Sequence, residues 1–394
     1  MKKRFALAVA VFTALFSVFV SASGYTEDFN AAAEAEAVAA VGMLSDLDCA
    51  SAILIEAKTG AVLYEQEPDA PRRPASITKI MTLLLIVEAV EDGKLALADT
   101  VTASADASKM GGSQIYLKEH EQMTVDELLK AIAVVSANDA CVAMAEHMAG
   151  SEEAFVALMN EKAAKLGMKN THFENCCGLD ADGHLTTARD IALMSAALLS
   201  HDLIRNYSTV WTDSLRGGKF GLTNTNKLVR FYDGATGLKT GSTSLAGNCV
   251  SASAKRGETE YIAVVMGAKT SDARFNEAKK LLDYGFANFE LVKLDTASEP
   301  VDVAVKGGVL KTVPASIKGE RYAVLEKGKA ASVVREITTD EFVTAPVDKG
   351  QTVGEAVYTL DGEEIARLPV VAVDAVPKAG FFFYFGELWK VFTA

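Results

Sequence analysis

Residues 71–92 read Pro-Arg-Arg-Pro-Ala-Ser-Ile-Thr-Lys-Ile-Met-Thr-Leu-Leu-Leu-Ile-Val-Glu-Ala-Val-Glu-Asp, a helix that opens on a serine. Ser76 stands where a capping residue belongs, just after Pro74, and a helical pattern runs from Ile77 to Glu91 before Gly93 ends it. Lys79, three residues on, falls on the same helical face as Ser76, one turn away. A serine hydroxyl becomes a competent nucleophile when a neighbour accepts its proton, and an amine accepts one when it is held neutral. Apolar surroundings and a second nearby cation both act in that direction, and Ile77, Ile80 and Met81 supply the hydrocarbon. The pair is thus a candidate nucleophile and base.

Upstream, Ala50 to Gln66 reads as two strands joined by a turn at Lys58-Thr59-Gly60. Downstream, Lys109 to Ser113 is a loop and Ile115-Tyr-Leu117 a short strand. Thr124 and Glu127 form a capping box for a helix through Leu128, Leu129, Ile132 and Val135. That helix meets Ser136-Ala-Asn-Asp139, after which a second apolar run passes through Val142, Met144 and Met148. Ser, Asn and Asp disfavour helix interiors, so a break or tight turn is expected between the runs. Residues 151–167 are helical and 170–184 a loop; Thr187 and Asp190 make a capping box before a helix to about Ser200. Past irregular residues 208–235 come Thr236-Gly-Leu-Lys-Thr-Gly-Ser-Thr243, two adjacent core strands (Gly247 to Ala254, Tyr261 to Ala268) and an amphipathic helix from Phe275 to Phe289.

The chain starts with Lys2, Lys3 and Arg4, an apolar run from Phe5 to Val20, and small residues Ser21 to Gly24. This order is that of a secretory signal peptide, and the run is shorter than the ~20 residues of a membrane span. Residues 25–46, rich in Ala and Glu, read as a solvated leader. The net charge of −13 becomes −16 without the three leading cations, and no basic cluster is available for nucleic acid. Cys49, Cys141, Cys176, Cys177 and Cys249 are odd in number and irregular in spacing, so they describe no disulfide framework. The five histidines lack metal-ligand spacing, and no glycine-rich phosphate loop follows a strand, so neither a metal nor a cofactor is expected.

Composition changes near 291–300. Through residue 376 the chain is valine-rich and alternating, with hairpin signals at Gly307-Gly308 and Asp361-Gly362, which indicates a second, all-β domain without chemistry of its own. In the terminal stretch Phe381, Phe385, Leu388 and Phe392 would share one helical stripe of about 21 Å, suited to lying in a bilayer interface. The expected division is signal peptide 1–24, leader 25–46, catalytic domain 47–290, β domain 291–376 and amphipathic anchor 377–394.

Three short motifs stand in order: Ser76-x-x-Lys79, Ser136-x-Asn138 and Lys239-Thr240-Gly241. This set belongs to penicillin-binding proteins and serine β-lactamases. With Gly112-Ser-Gln-Ile-Tyr-Leu117, Gly178-Leu-Asp180 and Thr187-Ala-Arg-Asp190, the chain from 47 to 394 resembles the low-molecular-mass penicillin-binding D-alanyl-D-alanine carboxypeptidases. Lys58-Thr59-Gly60 repeats the third motif's letters but precedes the nucleophile in a turn, and Ser316-Ile-Lys318 has the wrong spacing.

The resemblance implies an α+β catalytic domain, an antiparallel sheet with helices on both sides, that removes the terminal D-alanine from the pentapeptide stem of peptidoglycan. It implies that Ser76 is acylated while Lys79 takes its proton. Ser136 and Lys239 would relay a proton to the leaving D-alanine, and Asn138 would hold the substrate amide. Lys239 would also keep Lys79 neutral and, with Thr240, bind the terminal carboxylate. Gly241 would let a strand edge pair with the peptide, and the N–H groups of Ser76 and Ser242 would form the oxyanion hole. β-Lactams would be covalent inhibitors, and the protein would work on the outer face of the cytoplasmic membrane. Many relatives have histidine at Ser242 and Pro-Gly at Glu119-His120, which bears on substrate preference and the local turn. A class A β-lactamase needs Glu-x-x-Leu-Asn between the second and third motifs, a string absent from 139–238. Endopeptidase or transpeptidase activity on the same fold, and a non-catalytic penicillin- or wall-binding sensor, are the competing readings.

Overall fold

The computed structural model describes Leu44, residues 47–297 and residues 299–393. The expected signal peptide and most of the leader lie outside the described residues. Leu44, within the leader, is buried, and its carbonyl accepts from the Tyr64 hydroxyl at 3.0 Å, so the chain is already docked there.

Five antiparallel strands form the central sheet: β1 (Ser51–Glu56), β2 (Val62–Gln66), β3 (Ala235–Thr243), β4 (Gly247–Arg256) and β5 (Thr259–Ala268), in the order β2-β1-β5-β4-β3. Alternate side chains point to opposite faces of a strand. Ile53, Ile55, Ile262, Val264 and Met266 therefore enter one core, and Ala52, Leu54, Tyr261, Ala263 and Val265 the other. Five helices build the first core: α1 (Lys79–Glu91), α2 (Val125–Val135), α3 (Asn138–Ala149), α4 (Glu152–Lys165) and α5 (Ala188–Leu199). One long helix, α6 (Ser271–Asn288), covers the second core through Phe275, Ala278, Leu281 and Leu282. The chain is thus an α+β fold with helices on both faces of an antiparallel sheet.

Several boundaries differ from the sequence reading for identifiable reasons. Ser76 does not cap a helix: Ala75–Thr78 is a 3₁₀ turn without a side-chain cap, and α1 begins at Lys79. Ile115–Leu117 is not a strand, because the Ile115 and Leu117 N–H groups donate to the Asp139 carboxylate (3.2 and 3.0 Å) instead of to a partner strand. α6 starts four residues before Phe275, where Thr270 caps it, and Phe289 already belongs to a strand, Phe289–Lys293, that pairs with Tyr322–Glu326. That strand crosses the expected boundary at 290/291. It is tied to the sheet by the Leu291 N–H donating to Thr259 Oγ1 at 3.0 Å.

Apart from Tyr322–Glu326, the strands of residues 301–372 form a six-stranded, mainly antiparallel sheet. Both hairpin signals fall between paired strands, and Asp361 and Gly362 take the positive φ that a two-residue hairpin turn needs. The terminal helix, α7 (Phe381–Thr393), buries none of its side chains, leaving Phe381, Phe385, Leu388, Trp389 and Phe392 exposed. Among the described residues, no helix is long and apolar enough to cross a membrane.

The capping box on α2 is present in both directions, Thr124 Oγ1 accepting from the Glu127 N–H and the Glu127 carboxylate accepting from the Thr124 N–H. Thr187 caps α5, but the Asp190 carboxylate instead accepts from the Asn170 N–H and the Thr171 hydroxyl. Removing a Thr cap costs about 1 kcal/mol. Thr124→Ala is expected to lower the unfolding free energy by that amount in denaturant titration.

Candidate active site

The 3₁₀ turn that carries Ser76 is gripped from a distance. Ala75 has a positive φ of 49°, and its carbonyl accepts from the Thr78 hydroxyl at 2.9 Å. His184 Nδ1 accepts from the Glu174 N–H at 3.0 Å, so its Nε2–H donates to Thr78 Oγ1, 2.8 Å away. Gly178 (φ +86°) lies against the same carbonyl, and a Cβ there would sit 1.8 Å from Ala75 O. Ser76 is left half-buried between fully buried neighbours.

Lys79 is fully buried and its Nζ meets three acceptors: Ser76 Oγ at 2.9 Å, Asn138 Oδ1 at 2.7 Å and the Cys177 carbonyl at 2.7 Å. Asn138 is held in turn, its Nδ2 donating to Gly111 O and its N–H to Ser113 O, both at 2.7 Å. The break expected between the helices is real. Ser136 ends α2 in the left-handed region (φ 63°, ψ 35°), and Asn138 opens α3. Ser136 Oγ is buried with no hydrogen-bond partner among the described residues.

Lys239 and Thr240 lie on β3, the sheet edge beside Ser76. Lys239 is fully buried, and its Nζ donates to the Thr240 carbonyl at 3.1 Å. Burial, and then the Lys79 charge, push its ammonium well below the usual lysine range. Thr240 donates its hydroxyl to Thr225 Oγ1 at 2.8 Å, while the Thr225 N–H donates to Val134 O, which ties β3 to the end of α2. A Cβ on Gly241 would lie 2.9 Å from the Ser76 nitrogen and 2.9 Å from Pro74 O, so glycine is what lets this edge pass Ser76. Ser242 is exposed and donates to Asn248 Oδ1 at 3.3 Å.

The two decoy motifs stand apart from this cluster. Lys58 and Thr59 close the β1–β2 turn by donating their N–H groups to the Glu56 carboxylate. Ser316 and Lys318 are at the end of a strand in the C-terminal sheet.

Sequence reading missed four contributors. Asp139 accepts from Ile115 and Leu117 and so fixes the loop that holds Asn138. Asn175 Oδ1 accepts from the N–H groups of Cys177, Gly178 and Leu179, shaping the loop whose carbonyl holds Lys79. Arg274 is buried and donates to the Gly241 carbonyl at 3.1 Å, placing a cation beside the motif on β3. His184 supports the nucleophile turn. Asp139, Arg274 and His184 act on groups distant in sequence, which leaves no local pattern beyond the polar residue itself, whereas Asn175 folds a local turn over the next four residues.

The site thus brings together a half-buried serine, a buried lysine in contact with it and an edge strand passing the serine N–H. Comparison with known proteins shows the family. Residues 34–270 match the family model described as D-alanyl-D-alanine carboxypeptidase, and residues 289–378 match the C-terminal domain of penicillin-binding protein 5. The D-alanyl-D-alanine carboxypeptidase DacF of Bacillus subtilis is 45% identical over 336 residues, covering 84% of this chain and 86% of that protein. Penicillin-binding protein 5 from Haemophilus influenzae superposes with a TM-score of 0.77 at 33% identity, covering 84% of this chain and 98% of its own. A penicillin-binding protein of Listeria monocytogenes in its ampicillin-bound form gives 0.56 at 32% identity, covering 61% of this chain and 98% of its own. The chain belongs to the D-alanyl-D-alanine carboxypeptidase family.

Burial depresses the His184 imidazole from 6.5 to about 4. Between those values the unfolded chain binds the extra proton, so stability rises with pH. The contribution is complete above about 6.5 and is lost as pH falls to about 4. By the usual 1.36 kcal/mol per unit it amounts to ~3 kcal/mol. Denaturant unfolding at pH 7 and pH 4.5 is expected to show a smaller difference in His184→Gln than in the wild type.

Proposed function

We propose that the protein is a serine-type D-alanyl-D-alanine carboxypeptidase that cleaves the terminal D-alanine from peptidoglycan pentapeptide stems. The observation that carries this reading is the hydrogen-bond set of Lys79. Its Nζ is held against Asn138 Oδ1 and the Cys177 carbonyl and lies 2.9 Å from Ser76 Oγ, which sets the amine directly on the hydroxyl. Lys79 is then placed to accept the proton as Ser76 Oγ bonds to the penultimate D-alanine carbonyl.

The N–H groups of Ser76 and Ser242 stabilise the oxyanion, a contact worth about 10²–10³ in rate per donor. As the C–N bond breaks, the proton that Lys79 took from Ser76 passes to the departing D-alanine amine, with Ser136, whose buried hydroxyl has a hydrogen-bond position free, and Lys239 as the relay. Lys239 and Thr240 bind the terminal carboxylate, and Asn138 and the Gly241 edge orient the peptide. Water then attacks the ester, releasing the tetrapeptide and restoring the Ser76 hydroxyl. β-Lactams enter the same acylation step, consistent with the ampicillin-bound Listeria relative.

Export through residues 1–24 would deliver the protein to the wall side of the cytoplasmic membrane, and α7 would hold it there. The support for this second point is the helix's exposed aromatic side chains, with Phe385 stacked between Phe381 and Trp389 and only Glu387 and Lys390 charged. The β domain would act as the spacer between membrane and site.

Ser76→Ala is expected to end both D-alanine release from a pentapeptide and covalent labelling by a fluorescent penicillin. Equal labelling of variant and wild type would exclude Ser76 as the nucleophile, and cross-linked product in place of free D-alanine would favour transpeptidation. Protein ending at residue 380 is expected to lose co-sedimentation with phospholipid vesicles while hydrolysing a soluble pentapeptide at an unchanged rate; vesicle binding equal to that of the full chain would reject α7 as the anchor.

A further inference from the structure

Cys176 and Cys177, adjacent in sequence and both buried, meet Glu152 beneath the catalytic lysine. The two sulfur atoms and a carboxylate oxygen all lie within 4.8 Å of one another. Tetrahedral zinc with Zn–S near 2.3 Å and Zn–O near 2.1 Å places its ligand atoms about 3.6–3.8 Å apart, so small side-chain rotations close the set on one ion. We propose that Cys176, Cys177 and Glu152 form a binding site for a thiophilic divalent cation of the zinc class.

The backbone holds the three groups toward one another. Glu152 is the first residue of α4, and its carboxylate accepts from the Cys176 N–H at 3.0 Å, which brings the acid to the thiols. The Cys176 carbonyl accepts from the Thr82 hydroxyl at 2.6 Å and the Cys177 carbonyl from Lys79 Nζ at 2.7 Å. With both carbonyls fixed to α1 and the following N–H groups fixed to Asn175 Oδ1, the loop has little freedom to turn either thiol away. Two sulfur ligands select zinc, cadmium or cobalt over magnesium and calcium. Glu152 is half-buried, which gives the ion a route in and leaves a fourth position for water.

Binding balances as two thiols and one carboxylate taking up M²⁺ with release of the two thiol protons, with no redox change. Because the same dipeptide supplies the carbonyl that holds Lys79, an ion there fixes the lysine's support. The site is separate from the peptide-cleaving chemistry and places no metal in it.

The test uses the full chain, reduced and freed of metal, titrated with Co²⁺. The expected result is a sulfur-to-cobalt charge-transfer band that saturates at one ion per chain and is displaced by Zn²⁺. The band should vanish in Cys176→Ala, weaken in Glu152→Gln and persist in Cys49→Ala, which removes a remote thiol. Zn²⁺ at a hundred times its dissociation constant should raise the folding equilibrium about 100-fold in the wild type. Native mass spectrometry of the wild type, which does not depend on any variant folding, should show the mass of one ion. Absence of band and bound ion, a band unchanged in Cys176→Ala, or a band lost in Cys49→Ala would each overturn the proposal. So would protein isolated without reductant that has lost these two thiols to a disulfide and takes up no metal after reduction.

Discussion

The buried side chain of Lys79 is the constraint around which the catalytic part is arranged. A lysine taken wholly out of water is costly unless its N–H groups find acceptors. Here the acceptors come from three separate places: the 3₁₀ turn before α1, the first residue of α3 and the loop at 175–178. These segments are 59 and 98 residues from Lys79 in the two distant cases. Satisfying one side chain therefore requires the tertiary fold to be complete, and the same contacts that satisfy it put a hydroxyl beside an amine.

Departures from regular backbone cluster at this point. Ala75 and Ser136 have positive φ, an uncommon state for residues with a Cβ, and Tyr116 shares it on the loop beside Asn138. Such conformations persist where surrounding contacts over-determine them. Ala75 is held by Thr78, His184 and the close approach of Gly178, and the loop around Tyr116 is held on both sides of that residue by the Asp139 carboxylate. The twin cores give this arrangement its rigidity. The sheet's two faces are both covered, so β3 presents its edge at a fixed distance from Ser76.

How legible each feature was in the sequence depends on the range of its cause. The α2 cap at Thr124, the sheet's alternation at Ile53 and Ile55, and the interruption at Ser136–Asn138 have local causes and could be read directly. The motif residues Ser76, Lys79, Asn138 and Gly241 do come together, although only the Ser76–Lys79 spacing is local and the other contacts are made by the tertiary fold. The 3₁₀ turn at Ala75 could not be read, because it is imposed by His184 and Gly178 more than a hundred residues away. For the same reason Ile115–Leu117 resembled a strand: its apolar alternation is genuine, but its N–H groups are claimed by a carboxylate on α3. The end of α6 was read one residue late because Phe289 is apolar like the helix face before it but already belongs to the strand Phe289–Lys293.

The central claim is that one hydroxyl, on Ser76, carries the acyl group during turnover. Acid quenching of the protein during pentapeptide hydrolysis, followed by proteolysis and peptide mass spectrometry, reads this directly. The account predicts the tetrapeptide acyl mass on the peptide containing Ser76 and on no other. An acyl group mapped to a different side chain, or turnover that proceeds with no covalent species under conditions that trap a penicilloyl adduct, would contradict it.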